Sequence, residues 1–97
     1  NISGVVGYEM IYIDDADIEL VPNPSAGNTV LRFNLLKPCN VQLTVTNVLG
    51  ECVRDILLTD LAPGKHQEML DMNRVKGVYF VKLQAEGQQV CRKLIMN

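Results

Sequence analysis

The chain has 97 residues, a formal net charge of −2 and a hydrophobic fraction of 47%. This length suits one small domain, and the composition is too apolar for a disordered segment. The slight negative charge argues against a nucleic-acid partner and against attachment to an anionic membrane by charge alone. No apolar run approaches the ~20 residues that a membrane-spanning helix needs. Because the sequence opens at Asn1 without a Met or a leader, we expect it to be a fragment of a longer protein.

The first patterned stretch precedes an acidic cluster. Residues 8–13 alternate in a way that is compatible with an extra strand. Asp14, Asp15 and Asp17 follow, but the glycine and the distal Glu of a calcium-binding loop are missing. A solvated turn is therefore the better interpretation of these carboxylates.

From Ile18 onward, short segments of strand character alternate with turns rich in Pro, Gly, Asn and Asp. No segment keeps a helical period. The apolar–polar alternation predicts strands at residues 18–21, 29–36, 41–46, 52–58, 65–70, 78–84 and 88–96. Such closely spaced short strands are typical of an all-β sandwich in which each sheet has one buried face.

The same alternation predicts the core and the turns. The residues expected between the sheets are Leu31, Phe33, Leu35, Val41, Leu43, Val45, Val53, Tyr79, Val81 and Leu83. We expect positive φ at Gly50, and a three-residue hairpin loop at residues 85–87 that ends on Gly87. Val78 and Phe80 are apolar on the opposite face, which predicts a second covered surface. Either a partner or residues 8–13 would cover it.

Groups that could carry chemistry are sparse. His66 is the only histidine and is predicted to lie on the surface, and no nucleophile motif or phosphate-binding loop is present. Cys39, Cys52 and Cys91 are odd in number and widely spaced, which favours small buried side chains; one disulfide with a leftover thiol is the alternative. We expect no enzymatic role, no metal and no cofactor.

Three blocks of residues together point to a known family. The first is Val21-Pro22-Asn23-Pro24 before the strand at 29–33, and the second is residues 45–53, VTNVLGECV, with Gly50 in its turn. The third begins with residues 77–83, GVYFVKL, and ends with RKLI at residues 92–95. In this order and spacing, residues 18–97 resemble the C-terminal sorting domains of the type IX secretion system of Bacteroidota.

The resemblance implies an Ig-like antiparallel sandwich of about seven strands that serves as a targeting signal on a larger cargo protein. It implies partners in the type IX secretion machinery, namely an outer-membrane translocon and a sortase-like protease. The cargo would cross from the periplasm to the outer membrane, where in many members the protease removes the domain and attaches the cargo to the cell surface. Residues 1–17 would be a linker or the tail of an upstream cargo domain, with any cleavage near residues 14–18.

The resemblance also assigns roles to particular residues. The stretch expected to be recognised as the signal comprises Gly77, Tyr79, Val81, Arg92, Lys93, Leu94 and Ile95. The family's turn motifs would be carried by Pro22, Asn23, Pro24 and Gly50.

Other roles remain open at the level of sequence. A sandwich of this kind can also be a structural or adhesive module beside a catalytic or carbohydrate-binding domain, because fold alone does not determine function. Exposed tyrosines at Tyr8, Tyr12 and Tyr79 would be the candidates for carbohydrate binding. The last strand could also pair with a second copy to form a dimer.

Overall fold

The computed structural model describes residues 11–72 and 75–97, and within these ranges every regular element is a strand. The strands are β1 (Glu19–Val21), β2 (Asn28–Leu35), β3 (Cys39–Asn47), β4 (Cys52–Leu61), β5 (Gly64–Asp71), β6 (Gly77–Ala85) and β7 (Gln88–Met96). The described residues accordingly include no helix able to cross a membrane.

Two antiparallel sheets face each other as a sandwich. One has the order β1-β2-β5 and the other the order β4-β3-β6-β7. The predicted all-β sandwich of seven strands is confirmed, with small differences at the strand ends. For example, β3 and β4 extend beyond their predicted bounds because Cys39 pairs with Leu61. Pro38 and Pro63, which have no N–H to donate, flank this extension.

The core follows the alternation of the strands. Leu31, Val41 and Leu43 are fully buried, and Phe33 and Val81 are 2% exposed. The prediction is wrong for Val53, which is 37% exposed. Val45 pairs with Arg54 and Thr46 pairs with Cys52, so a bulge leaves Val53 without a partner and breaks the alternation of β4.

The turn between β6 and β7 is tighter than predicted. Ala85 pairs with Gln88, so only Glu86 and Gly87 form the loop, and a three-residue loop is wrong. Both loop residues have positive φ, +50° and +94°, as in the two-residue hairpin turns that match the twist of the strands. The prediction of positive φ is confirmed at Gly87 and also at Gly50, where φ is +86°.

The exposure of the cysteines and of the histidine differs in part from the prediction. All three cysteines are free thiols. Cys39 is buried, and burial, with a smaller contribution from the Glu86 carboxylate, raises the pKa of its thiol. Cys52 and Cys91 are exposed, so the prediction of mostly buried cysteines is wrong for them. His66 is half-buried, because its ring stacks on Phe33 with centroids 5.6 Å apart.

Replacement of Phe33 by Ala tests the assignment of the faces. We expect Phe33→Ala to lower the free energy of unfolding by ~3–5 kcal/mol, since it empties a buried aromatic position. Val53→Ala, at the exposed bulge, should cost less than about 1 kcal/mol and is the matched control. Urea denaturation measures both values, and equal losses for the two variants would contradict the assignment.

Candidate recognition surface

The Pro-Asn-Pro turn binds the edge of the last strand. Asn23 Nδ2 donates to the carbonyl oxygen of Lys93 over 2.9 Å, and Asn23 Oδ1 accepts from the amide of Ile95 over 3.0 Å. The amide of Ser25 donates to the carbonyl of Ile95 over 2.9 Å, and the amide of Asn97 donates to the carbonyl of Ser25 over 2.8 Å. An Asn side chain has both a donor and an acceptor, so it pairs here as a backbone peptide would.

The sequence of the turn explains this docking. Pro22 and Pro24 have no N–H, so they cannot donate to a neighbouring strand. The buried Thr29 holds the turn from below, because its hydroxyl donates to the carbonyl of Pro22 over 2.8 Å. The Ser25 hydroxyl donates to the carbonyl of Asn28 over 2.8 Å. Asn23 and Ser25 are thus presented to β7 from a turn that is fixed on both sides.

The second turn motif is also locked by an Asn side chain. Asn47 Oδ1 accepts from the amides of Leu49 and Glu51, each over 3.0 Å. Asn47 Nδ2 donates to the carboxylate of Glu51 over 2.9 Å. Gly50, with its positive φ, completes this turn. Leu49 is left 80% exposed at the tip.

The inner face of the β6–β7 hairpin belongs to the core. Tyr79, Val81 and Leu94 are between 0% and 5% exposed. The hydroxyl of Tyr79 donates to the carbonyl of Val75 over 3.1 Å, so its polar end is satisfied inside the protein. Gly77, with φ of +145°, starts β6 beside the ring of Tyr79. A partner that binds the folded domain would not reach these three buried side chains.

The outer face of the same hairpin is apolar and basic. We call Val78, Phe80, Lys82, Lys93 and Ile95 the hairpin outer face. Val78 lies opposite Ile95, and Phe80 lies opposite Lys93 on the neighbouring strand. Phe80 remains 37% exposed. Within the described residues, neither lysine takes part in an ion pair.

The predicted signal residues therefore separate into groups. Lys93 and Ile95 contribute to the hairpin outer face, and Gly77 is exposed at its border. The Arg92 side chain is already engaged, because its guanidinium pairs with the carboxylate of Asp15. The structure brings the first and third blocks of sequence together through Asn23, whereas Gly50 lies at the separate β3–β4 turn.

Residues considered for other chemistry do not converge in the described part of the chain. Tyr79 is buried, Tyr12 is half-buried beneath the Lys37 ammonium, and Tyr8 lies outside the described residues. Within the described ranges, no group of three or more His, Cys, Asp or Glu side chains could hold a metal ion. The two described tyrosines thus offer no shared platform for a sugar ring.

A protein-family model described as "Secretion system C-terminal sorting domain" matches residues 19–97. The chain belongs to this family. The sorting domain is thus a C-terminal signal for type IX secretion, which implies interaction with the type IX machinery and export to the outer membrane, the cell surface or the medium. The family is in general non-catalytic.

Other comparisons add little. No curated protein matches the sorting domain. Among solved structures, it is similar to the sensor domain of the anti-sigma factor RsgI4 from Pseudobacteroides cellulosolvens. The two are 12% identical with a TM-score of 0.46, over 84% of this chain and 97% of the other. This likeness is too weak to carry an argument about function.

The contact between Asn23 and β7 is not among the contacts that the sequence pattern predicts. The sequence does hint at a role for Asn23, which lies between Pro22 and Pro24. The prolines have no N–H and no polar side chain, so in this tripeptide Asn23 alone can donate hydrogen bonds. The position of its partner, 70 residues or more away, is not available from local patterns.

Substitution of Asn23 tests the docking of the turn. Asn23→Asp keeps an acceptor for the Ile95 amide but places a charge against the Lys93 carbonyl, so we expect a loss of ~1–3 kcal/mol in unfolding free energy. Hydrogen exchange should show lost protection at the Ile95 amide. Gln89→Ala, at an exposed position of the same strand, is the control. Full protection of Ile95 in Asn23→Asp would refute the role of this side chain.

Proposed function

We propose that this domain carries an upstream cargo protein across the outer membrane, and that the type IX machinery binds the hairpin outer face. One observation carries the choice of surface: the half-exposed Phe80 lies beside two lysines that form no ion pair within the described residues, on the outer face of the stretch that the family resemblance marks as the signal. Contiguous apolar side chains on the outside of a sheet favour a protein contact.

The proposed signal residues then act in different ways. Lys93 and Ile95 contact the machinery together with Val78, Phe80 and Lys82. Tyr79, Val81 and Leu94 support that surface from beneath, because their burial sets the position of both strands. Gly77 permits the start of β6, and Arg92 acts through its contact with Asp15. Pro22, Asn23 and Pro24 fix the edge of β7, and Gly50 shapes the β3–β4 turn.

An export assay tests the surface. The 97-residue chain is fused behind a reporter that carries its own signal peptide, in a type IX-competent bacterium. Phe80→Ser and Lys93→Glu should each reduce the reporter at the cell surface by about tenfold or more, as for residues at the centre of an interface. The fold should be retained, because both side chains lie outside the core.

Matched substitutions on the other sheet control this assay. Met69 is 62% exposed and Lys65 is also exposed, both on β5. Met69→Ser removes an exposed apolar side chain and Lys65→Glu reverses an exposed positive charge, both away from the proposed surface, and each should leave export unchanged. The ion pair of Lys65 with Asp17 spans 3.8 Å between exposed side chains, so its loss should have little effect on stability. Equal export by all four variants, with normal melting temperatures, would rule out the hairpin outer face as the bound surface.

We further propose that a sortase-like protease separates the cargo from the domain near residues 14–18, before the cargo is attached to the cell surface. Ala16 is exposed in a turn there, and the side chain of Asp15 is exposed although its carbonyl and carboxylate contact Arg92. The exposed turn beyond the hydrogen-bonded residues 12–14 supports a cleavage site in this stretch. On this proposal residues 1–17 connect the cargo to the sorting domain of residues 18–97.

Mass spectrometry of the exported reporter tests the position of cleavage. We expect the mature cargo to end within residues 14–18, because Asp15 and Ala16 are exposed in the turn just before β1. A mature protein that keeps β7, or a cut within the sandwich, would contradict this proposal.

The alternatives have weaker support. The family match favours a sorting signal over a structural or adhesive module. A dimer through β7 would have to displace residues 23–25, whose hydrogen bonds occupy that edge of the strand. The sorting function does not require such a dimer.

A further inference from the structure

A segment that precedes β1 is part of the sandwich. We call residues 12–15 the strap. Ile13 is fully buried in the core and makes an antiparallel bridge to Leu35. The amide of Asp14 donates to the carbonyl of Asn34 over 2.9 Å, and the amide of Leu36 donates to the carbonyl of Tyr12 over 2.8 Å. The strap thus continues the edge of β2 beyond the position where β1 pairs with it.

Gln88, the first residue of β7, clamps the strap with a single side chain. Gln88 Oε1 accepts from the amides of Tyr12 over 2.7 Å and of Ile13 over 2.8 Å. Gln88 Nε2 donates to the carbonyl of Ile13 over 2.9 Å. Because β7 lies in the four-stranded sheet and the strap pairs with β2 of the other, this side chain joins the two sheets.

Arg92 makes a second clamp from the same face of β7. Its Nη2 donates to the carbonyl of Asp15 over 2.7 Å and contacts the carboxylate of that residue. Its Nη1 donates to the carbonyl of Cys91 over 2.9 Å, which holds the guanidinium against β7 itself. The strap is therefore bound at two points, four residues apart on one strand.

The backbone of the strap has no free hydrogen-bonding group at residues 12–14. The N–H and C=O groups of all three residues have partners: Gln88 and Leu36 for Tyr12, Gln88 for Ile13, and Asn34 and Asp17 for Asp14. A protease binds its substrate as an extended strand through these same backbone groups. Residues 12–14 consequently cannot enter a protease cleft while the strap is closed.

We propose that β7 controls access to the chain that enters the domain: Gln88 and Arg92 hold the strap closed, and release of β7 opens it. The family match begins at residue 19, whereas contacts with the sandwich already occur at Tyr12. This coupling goes beyond the sorting function and does not depend on it. It connects the two ends of the domain, so an event that displaces β7 also exposes the junction with the preceding chain.

Limited proteolysis of the purified 97-residue chain tests the strap. Chymotrypsin cleaves after aromatic residues, so the bond after Tyr12 reports opening of the strap and the bond after the buried Phe33 reports opening of the core. Gln88→Ala should raise the rate of cleavage after Tyr12 by about tenfold or more relative to cleavage after Phe33, since three hydrogen bonds are lost.

A second variant and a control make the result decisive. Arg92→Gln removes the charged contact with Asp15 but keeps a polar side chain, and it should also raise cleavage after Tyr12, by a smaller factor. Gln89→Ala, on the exposed face of β7, should leave the rate at its wild-type value. Hydrogen exchange on the same proteins should show faster exchange at the Tyr12 and Ile13 amides, with the Leu43 and Val81 amides unchanged.

Two results would overturn the proposal. The first is a rate of cleavage after Tyr12 that does not change in Gln88→Ala. The second is a rise that is no larger than the rise after Phe33, because the variant would then loosen the whole sandwich rather than the strap. Loss of protection at Leu43 together with Ile13 would have the same meaning.

Discussion

The edge of β7 is the constraint on which this structure depends. A strand at the edge of a sheet presents unpaired backbone groups that can pair with another chain. Here the chain itself occupies that edge: Asn23 and Ser25 bind one end of it, and Arg92 binds the carbonyl of Cys91 further along. The Pro-Asn-Pro turn therefore covers the edge of the last strand. The fold thus brings together two motifs that are far apart in the sequence.

This arrangement lets the hairpin stabilise the core on one face and present side chains to solvent on the other. Successive residues of a strand point to opposite faces, so Tyr79 and Val81 can fill the core while Phe80 between them remains outside. The core side chains set the strand positions, and the docked turn holds the edge. Lys93 and Ile95 thus lie on a well-supported strand, which would lower the entropy lost if, as proposed, a partner binds them.

Local patterns were sufficient for the strands and for most of the core. Alternation is a property of each strand alone, so β2, β3 and β6 and their buried residues could be predicted without knowledge of the topology. Val53 could not, because its exposure depends on the register between β3 and β4. The length of the loop at Glu86 is not predictable from the local pattern for the same reason: it depends on whether Ala85 pairs with Gln88.

Less of the candidate site than of the fold can be predicted from the sequence. The blocks that resemble the family located the hairpin, but a motif does not distinguish Leu94, which is buried, from Lys93, which is exposed. The contacts of Asn23 and Gln88 join residues more than 65 positions apart, and each pairs a side chain with backbone groups. Nearly every residue has a backbone N–H and C=O, so a segment that binds through these groups needs no particular amino acids. Its sequence therefore does not reveal the contact.

The strap illustrates how a folded unit can extend beyond its sequence motif. Gln88 holds Tyr12 and Ile13 through their main-chain atoms, so the contact itself makes no demand on the side chain of Tyr12. The burial of Ile13 and the contact of the Asp15 carboxylate with Arg92 restrict residue type, but one apolar residue beside an acidic residue is a weak signal. A family match that begins at residue 19 is thus compatible with contacts to the sandwich at Tyr12 and Ile13. The last strand and the segment before the first are thus in direct contact through Gln88 and Arg92.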